Sequence, residues 1–451
     1  MPIATPLRSA SSLLAALTAL APLPAQDWDY NAAAAYHDQL GGHALLISID
    51  GKVVFERYSN GYSANQGHVL HSCTKSITGV LCAFAVQDKL IASFDERVSD
   101  TITEWQVDAR RRVITYRQLL GLVSGILGGE TGSPPSYADS IKQAMFADPG
   151  TAFSYGPYPF QIFGEALKRK LASSQRTVAD YLTAKILTPL NMTPSAWLNY
   201  ATGDPNLPSG AQFTAREWIK FGEFVRLGGV WNNQRLLAQS LLDELFQPII
   251  PSARDYGVSW WLTLPTGVAP NDTVAARGSG TQRLWVIRSE RMAIVRFADS
   301  EVWKDDGFFA ALMPAAFQKI GDGCKGAGGV PSLVAVTPPK TGTTFEWRID
   351  NLPTVPTLGI TYVGLSSTTW GTVPLPLELS FLGAPGCRLF VSADFALPWV
   401  GASSVTQRLP VPDTATLSVR RFYLQSAVVD GSANALAMTL SDAGVARVGV
   451  R

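Results

Sequence analysis

The spacing of apolar and polar positions changes several times along the chain, and each change predicts a different kind of element. Leu45 to Ile49 and Val53 to Tyr58 flank the pair Asp50-Gly51. Two short apolar runs around Asp-Gly predict a β-hairpin, because that pair accepts the positive φ of a tight turn. From Ser72 the period lengthens. Ile77, Val80, Leu81, Phe84 and Ala85 recur at helical spacing, so a helix should begin near Ser72. Helical patterning dominates to about residue 245, broken by loops at 121–137 and 199–213. Strand-like runs return at 256–264, 283–288 and 292–298, the last two as a hairpin, and 308–320 is spaced like a closing helix. Hairpin, helical insert, further strands and a final helix predict an α+β domain on an antiparallel sheet, spanning 27–321.

Residues 322–330 are dominated by glycine and read as a linker. Beyond them helical spacing vanishes. Short apolar runs such as Phe345 to Ile349, Leu375 to Phe381, Cys387 to Ser392, Leu417 to Val429 and Ala435 to Leu440 are separated by Pro and Gly. This predicts an all-β sandwich over 331–451. At the other end, Arg8, the apolar Leu13 to Leu20 and the small-residue stretch ending at Ala25 have the form of a secretory signal over 1–25. Cleavage after Ala25 would make the protein periplasmic or extracellular. No apolar run approaches the ~20 residues of a membrane span.

Length and charge remove other classes. The 451 residues suit two domains, and 46% hydrophobic content with 16% charged residues describes a globular protein. A net charge of +1 gives no handle for nucleic acid or an anionic membrane surface. Cys73 and Cys82 lie about 13 Å apart along the expected helix, beyond the ~7 Å reach of a disulfide. Cys324 and Cys387 are expected to pair in an exported chain. Neither pair has zinc-ligand spacing.

The chemistry concentrates in His71-Ser72-Cys73-Thr74-Lys75-Ser76. Ser-x-x-Lys at a helix start puts hydroxyl and amine on one face. A serine hydroxyl needs a base within hydrogen-bond reach, and burial makes an ammonium shed its proton. The four histidines, His37, His43, His68 and His71, all precede Ser72. An α/β-hydrolase places its histidine last, and no Gly-x-Ser-x-Gly occurs. His-Glu-x-x-His is also absent. His71 is read as a capping or packing residue.

Further stretches match in order: Gly51 to Glu56, His71 to Val80, Ile114 to Leu120, Ser124-Gly125, Pro149-Gly150-Thr151, Phe153-Ser154-Tyr155, Pro189 to Met192 and Phe213 to Arg216. With these the chain resembles the serine β-lactamase-related hydrolases over about residues 40–320. That family includes class C β-lactamases, D-Ala-D-Ala carboxypeptidases, family VIII esterases and 6-aminohexanoate-dimer hydrolases. The resemblance implies a penicillin-binding-protein-like fold with Ser72 as nucleophile, Lys75 as its partner and Tyr155 as proton relay. A phenol near Lys75 should ionise more easily than usual. Pro157 departs from the family's Tyr-x-Asn or Tyr-x-Ser, and Tyr158 is the substitute if the register slips.

The family's Lys-Thr-Gly element has a literal match in Lys340-Thr341-Gly342, which falls in the second domain and is read as a turn. The positional match is Gly278-Ser279-Gly280-Thr281-Gln282, resembling the Gly-x-Gly-Gly-Gln of 6-aminohexanoate-dimer hydrolases. It implies substrate contacts from Gly278, Ser279, Gly280 and Gln282, with the N–H groups of Ser72 and Thr281 as oxyanion donors. Gly278 carries no cation, although Arg277 or Arg283 could compensate if either points inward. The expectation is therefore an exported hydrolase of small neutral esters or short amides, without metal or cofactor. The alternatives are β-lactamase or carboxypeptidase action on cell-wall-derived substrates, and a catalytically silent binding protein. Trp260, Trp261 and Trp285 are candidates for an acyl pocket or for the core.

Overall fold

The structure, a computed structural model, describes residues 28–130, 132, 134–263, 268–417 and 420–449. The proposed signal at 1–25 lies outside them. A helix, α1 (Tyr30–Gln39), leads into the hairpin β1 (Gly42–Ile49) and β2 (Lys52–Tyr58). The central helix α2 (Thr74–Gln87) follows a 3₁₀ turn at His71–Cys73. Among the larger helices of the insert are α3 (Tyr158–Leu171) and α4 (Ala215–Arg226). Strands β3 (Trp261–Leu262), β4 (Val274–Gly278), β5 (Gln282–Ile287) and β6 (Met292–Ala298) complete the sheet, and α5 (Asp305–Leu312) closes the unit. The strand order is β2-β1-β6-β5-β4-β3, with every pairing antiparallel.

Alternation along the strands gives the sheet two apolar faces. Leu46, Ala276, Leu284 and Val295 pack toward α2 and the helical insert. Leu45, Ala275, Trp285 and Ile294 pack toward Phe308, Phe309 and Leu312 of α5. Residues 74 to 85 of α2 are all buried, so the helix that follows Ser72 is enclosed along most of its length.

Three expectations need correction. Among the described residues of the run at 256–264, 264 itself lying outside them, only Trp261–Leu262 is a strand, with Tyr256 making an isolated bridge to Trp261. Strand β4 was not expected at all. The helix spacing at 308–320 does not carry through: α5 ends at Leu312, and Ala316–Ile320 is a strand, β7, paired with the C-terminal strand β14 (Met438–Arg447). Pro314 explains the break, because proline drives the preceding residue out of the helical region, and Met313 has φ −119° and ψ 65°.

The all-β architecture therefore begins ahead of the glycine-rich stretch. Five strands order as β7-β14-β13-β10-β11, where β10 is Thr357–Gly364, β11 Phe395–Gly401 and β13 Arg421–Val429. Three more order as β8-β9-β12, being Ser332–Ala335, Thr344–Asp350 and Val405–Pro410. Leu333, Phe345, Trp347 and Ile349 of the smaller sheet bury against Val363, Trp399, Leu424 and Val428 of the larger, which makes a sandwich. Residues 322–330 are fastened to it: Cys324 is disulfide-bonded to Cys387, and the Ala327 N–H donates to Asp430 at 2.6 Å. Cys73 and Cys82 are free and buried. Arg421 reaches Glu290 of the α+β unit at 2.6 Å, and Arg447 donates to the Pro314 carbonyl.

Candidate active site

Ser72 sits in the 3₁₀ turn at the head of α2, half-buried, while Lys75 is 2% exposed. The lysine Nζ donates to Ser72 Oγ at 2.9 Å and to the Pro208 carbonyl at 3.2 Å. Among the described residues no carboxylate pairs with it. Burial lowers its pKa from 10.5 to about 7, so near neutral pH a large share of the amine is unprotonated.

Tyr155 completes the triangle. Its ring centroid lies 5.1 Å from Lys75 Nζ. Burial pushes the phenol up to about 12, opposed by hydrogen bonds from the Ser72 hydroxyl and the Trp261 indole. The expectation that Lys75 would ease its ionisation is reversed: desolvation outweighs those contacts, and the phenol stays protonated where the amine does not. Two glycines fix its place. A Cβ on Gly156 would lie 2.2 Å from the Gly128 backbone, and one on Gly128 would lie 2.3 Å from the Tyr155 carbonyl. The chain crossing that presents Tyr155 therefore admits no side chain at either point. Pro157 begins α3 as its N-cap, and Tyr158 packs over Gly129. Tyr155, not Tyr158, meets Ser72 and Lys75.

The segment 278–282 is the turn joining β4 to β5, with Gly278 paired to Gln282. A Cβ on Gly278 would meet the Leu70 carbonyl at 2.3 Å and Cys73 Sγ at 3.3 Å. This strand end therefore lies against the backbone ahead of Ser72 and the Cys73 side chain after it, and a lysine at this position has no room. Ser279 is exposed, whereas Gly280 and Thr281 are buried. Within that turn Gly280 (φ 68°, ψ 14°) and Thr281 (φ 62°) have left-handed backbone, so the segment is not a helical turn. The Thr281 carbonyl accepts from Arg296 at 2.8 Å, and the Thr281 hydroxyl also accepts from Arg296. Gln282, expected among the substrate contacts, has its carboxamide bonded to the Ser279 and Gly280 carbonyls and to both polar atoms of the Ala298 backbone. It braces the turn.

Arg277 and Arg283 do not point at Ser72. Both pair with Asp305 of α5, at 3.4 and 3.1 Å, on the sheet face that carries Trp285. Of the three tryptophans, Trp260 stacks with Phe221 in the core and Trp285 with Phe308 on the far face. Only Trp261 borders the site, 5.5 Å from Tyr155 between ring centroids. Sequence reasoning missed Tyr256, which is buried with its ring 6.2 Å from that of Tyr155. The aromatic run Tyr256, Trp260, Trp261 was its available signal. Lys340-Thr341-Gly342 lies in the β sandwich, bonded to Gly449 and Val411. Among the described residues no group of His, Cys, Asp and Glu is arranged to hold a metal, and no helix is long and apolar enough to cross a membrane.

The Beta-lactamase family model matches residues 20–313, more than half of the chain. The chain belongs to that family of serine hydrolases, with the β-lactamase and penicillin-binding-protein fold. Solved structures agree on the fold. A Bacillus anthracis protein assigned as a 6-aminohexanoate-dimer hydrolase is 19% identical, covers 60% of this chain and 76% of its own, and superposes with a TM-score of 0.52. A family VIII carboxylesterase is 17% identical over 62% of this chain and 95% of its own, with a TM-score of 0.50. EstCE1, a hydrolase with promiscuous acyltransferase activity, is 13% identical over 63% and 98%, with a TM-score of 0.53. Comparison with curated proteins returns no match.

Proposed function

We propose that the protein is an exported serine hydrolase that cleaves esters or short amides of small neutral acyl groups through an acyl-enzyme. One observation carries the reading: a buried, carboxylate-free lysine amine donates to Ser72 Oγ at 2.9 Å. In its neutral form that amine takes the Ser72 proton as Oγ attacks the substrate carbonyl. Tyr155, protonated across the working range, passes a proton to the leaving group and is reprotonated by Lys75, which leaves the amine neutral to take a proton from the water that attacks the acyl-enzyme. The oxyanion is held by the Ser72 N–H and by one N–H of the turn after β4. Thr281 is the donor implied by the family motif. The exposure of Ser279 beside Gly278 favours the Ser279 N–H as its alternative.

The substrate preference rests on charge. Gly278 offers no cation, and Arg277 and Arg283 are held by Asp305. A carboxylate-bearing β-lactam therefore finds no partner there, whereas a neutral acyl group against Trp261 and Tyr256 loses nothing. The Cys324–Cys387 disulfide is compatible with an oxidising compartment.

The test is the pH dependence of kcat/KM on a chromogenic short-chain ester. The base must be neutral, so activity should rise through an apparent pKa near 7, set by Lys75. It should then stay level to at least pH 10, because Tyr155 ionises only near 12. A profile flat from pH 5 to 9, or falling through 7, would remove lysine as the base.

A further inference from the structure

A hollow of about 840 Å³ in the α+β unit takes no part in this chemistry. Its size falls within the ~300–1,000 Å³ usual for small-molecule sites. Residues between 243 and 254 form one wall, and the start of β4 with the end of β3 forms the other. Phe246, Ile249, Ile250, Leu262 and Val274 make the lining largely apolar. Leu262 pairs with Val274, so the hollow opens at the end of β4 remote from Gly278. Val274 and Gly278 are four residue steps apart along the strand, about 13 Å. Phe153 packs in one apolar cluster with Ile249 and Ile250 of the lining. Phe153 and Trp261 each lie against Tyr256, at 5.4 and 5.0 Å, and both also neighbour Tyr155.

The polar groups narrow what fits. Arg288 is held by Asp243 at 2.6 Å and by the Val225 carbonyl. Asp272 accepts from the N–H and hydroxyl of Ser289, each at 2.7 Å. Those charges have partners. Arg254 lines the hollow, is exposed, and has no hydrogen-bond or ion-pair partner among the described residues. The Thr273 hydroxyl, in the opposite wall, is buried with no hydrogen-bond partner. An apolar trough with one uncommitted guanidinium at its rim complements a molecule with an apolar chain and a single planar anion.

We propose that this hollow is a second binding site, separate from the Ser72 cleft, for aliphatic or arylalkyl carboxylates. The chain lies against Phe246, Ile250 and Leu262, and the carboxylate pairs with Arg254. Thr273 supplies a hydroxyl for a polar substituent or an ordered water. The site needs no turnover, so it stands or falls independently of the serine chemistry.

Octanoate titrated calorimetrically into the full-length Ser72→Ala protein tests the proposal. One saturable site is expected. Arg254→Ala and Arg254→Glu should weaken binding about tenfold or more at low salt, while Arg254→Lys, which keeps the charge and loses the planar fork, should weaken it less than Arg254→Ala does. Octan-1-ol should bind at least about tenfold more weakly than octanoate. Arg254 is exposed, so its variants should fold as the parent does. Unchanged octanoate affinity in Arg254→Glu would overturn the proposal, as would equal affinity for the alcohol. So would loss of octanoate binding when bulk is added at the Ser72 cleft by Tyr155→Trp but not at the hollow by Leu262→Trp.

Discussion

Lys75→Met should lower kcat/KM for a short-chain ester by about 10²–10⁴-fold and at the same time raise the unfolding temperature. The loss follows from removing the one base in contact with Ser72 Oγ. The gain follows from desolvation. Lys75 falls from 10.5 to about 7 because it is buried, so between those values the folded protein binds fewer protons than the unfolded chain. Stability due to this group therefore rises with pH across that window, and the burden of the buried charge is greatest below about pH 7. The size of the fall bounds the gain from methionine at roughly 5 kcal/mol in acid, vanishing above about pH 10.5. Thermal unfolding of both proteins at pH 6 and pH 10 measures it. A methionine variant less stable at pH 6 than the parent would mean that the lysine is held charged by partners, contrary to the geometry.

Gly278→Ala is expected to cost both folding free energy and activity. Its Cβ would lie 2.3 Å from the Leu70 carbonyl and 3.1 Å from Gln282 Cβ. The first obstacle is backbone, so no rotamer change relieves it. Either β4 withdraws from the turn that carries Ser72, or that turn shifts. Overpacking of this kind costs about 1–3 kcal/mol, and a displacement of about 1 Å at a reacting group can cost on the order of 10²-fold in rate. Gly278→Lys should be worse, and should not confer cephalosporin hydrolysis, because the ammonium cannot be housed where its Cβ does not fit. Denaturant titration and ester kinetics on the alanine variant decide the point. Wild-type activity within about twofold would show that β4 does not press on the Ser72 turn.

The parts of this structure legible in the sequence are those where one strong local pattern decides. Asp50-Gly51 between two apolar runs specified the first hairpin, and the spacing from Ile77 to Ala85 specified α2. The Ser72–Lys75 pair was legible from helical spacing, whereas Tyr155 came from motif order alone. Strand β4 escaped because Val-Ala-Ala-Arg-Gly has a single β-branched residue and Val274, Ala275 and Ala276 are buried, so neither propensity nor alternation marked it. The tail of the closing helix was misread for the opposite reason. Phe308, Leu312, Ala316 and Ile320 continue a helical period straight through Pro314, although proline ends the helix there whatever the period beyond it. Tyr155 shows a third limit. Its neighbours can be guessed from a motif, but the desolvation that raises its pKa depends on the Gly128–Gly156 crossing and on Trp261 and Tyr256, which only the folded chain brings together.

The central claim is that Ser72 is made nucleophilic by a largely neutral Lys75. Labelling of the intact protein with a fluorophosphonate at pH 8, followed by peptide mapping, tests it most directly. The prediction is a single adduct on the peptide carrying Ser72, absent in Ser72→Ala and slowed at least about 100-fold in Lys75→Met. An adduct on another serine, or labelling of Ser72 at the same rate without the lysine, would contradict it.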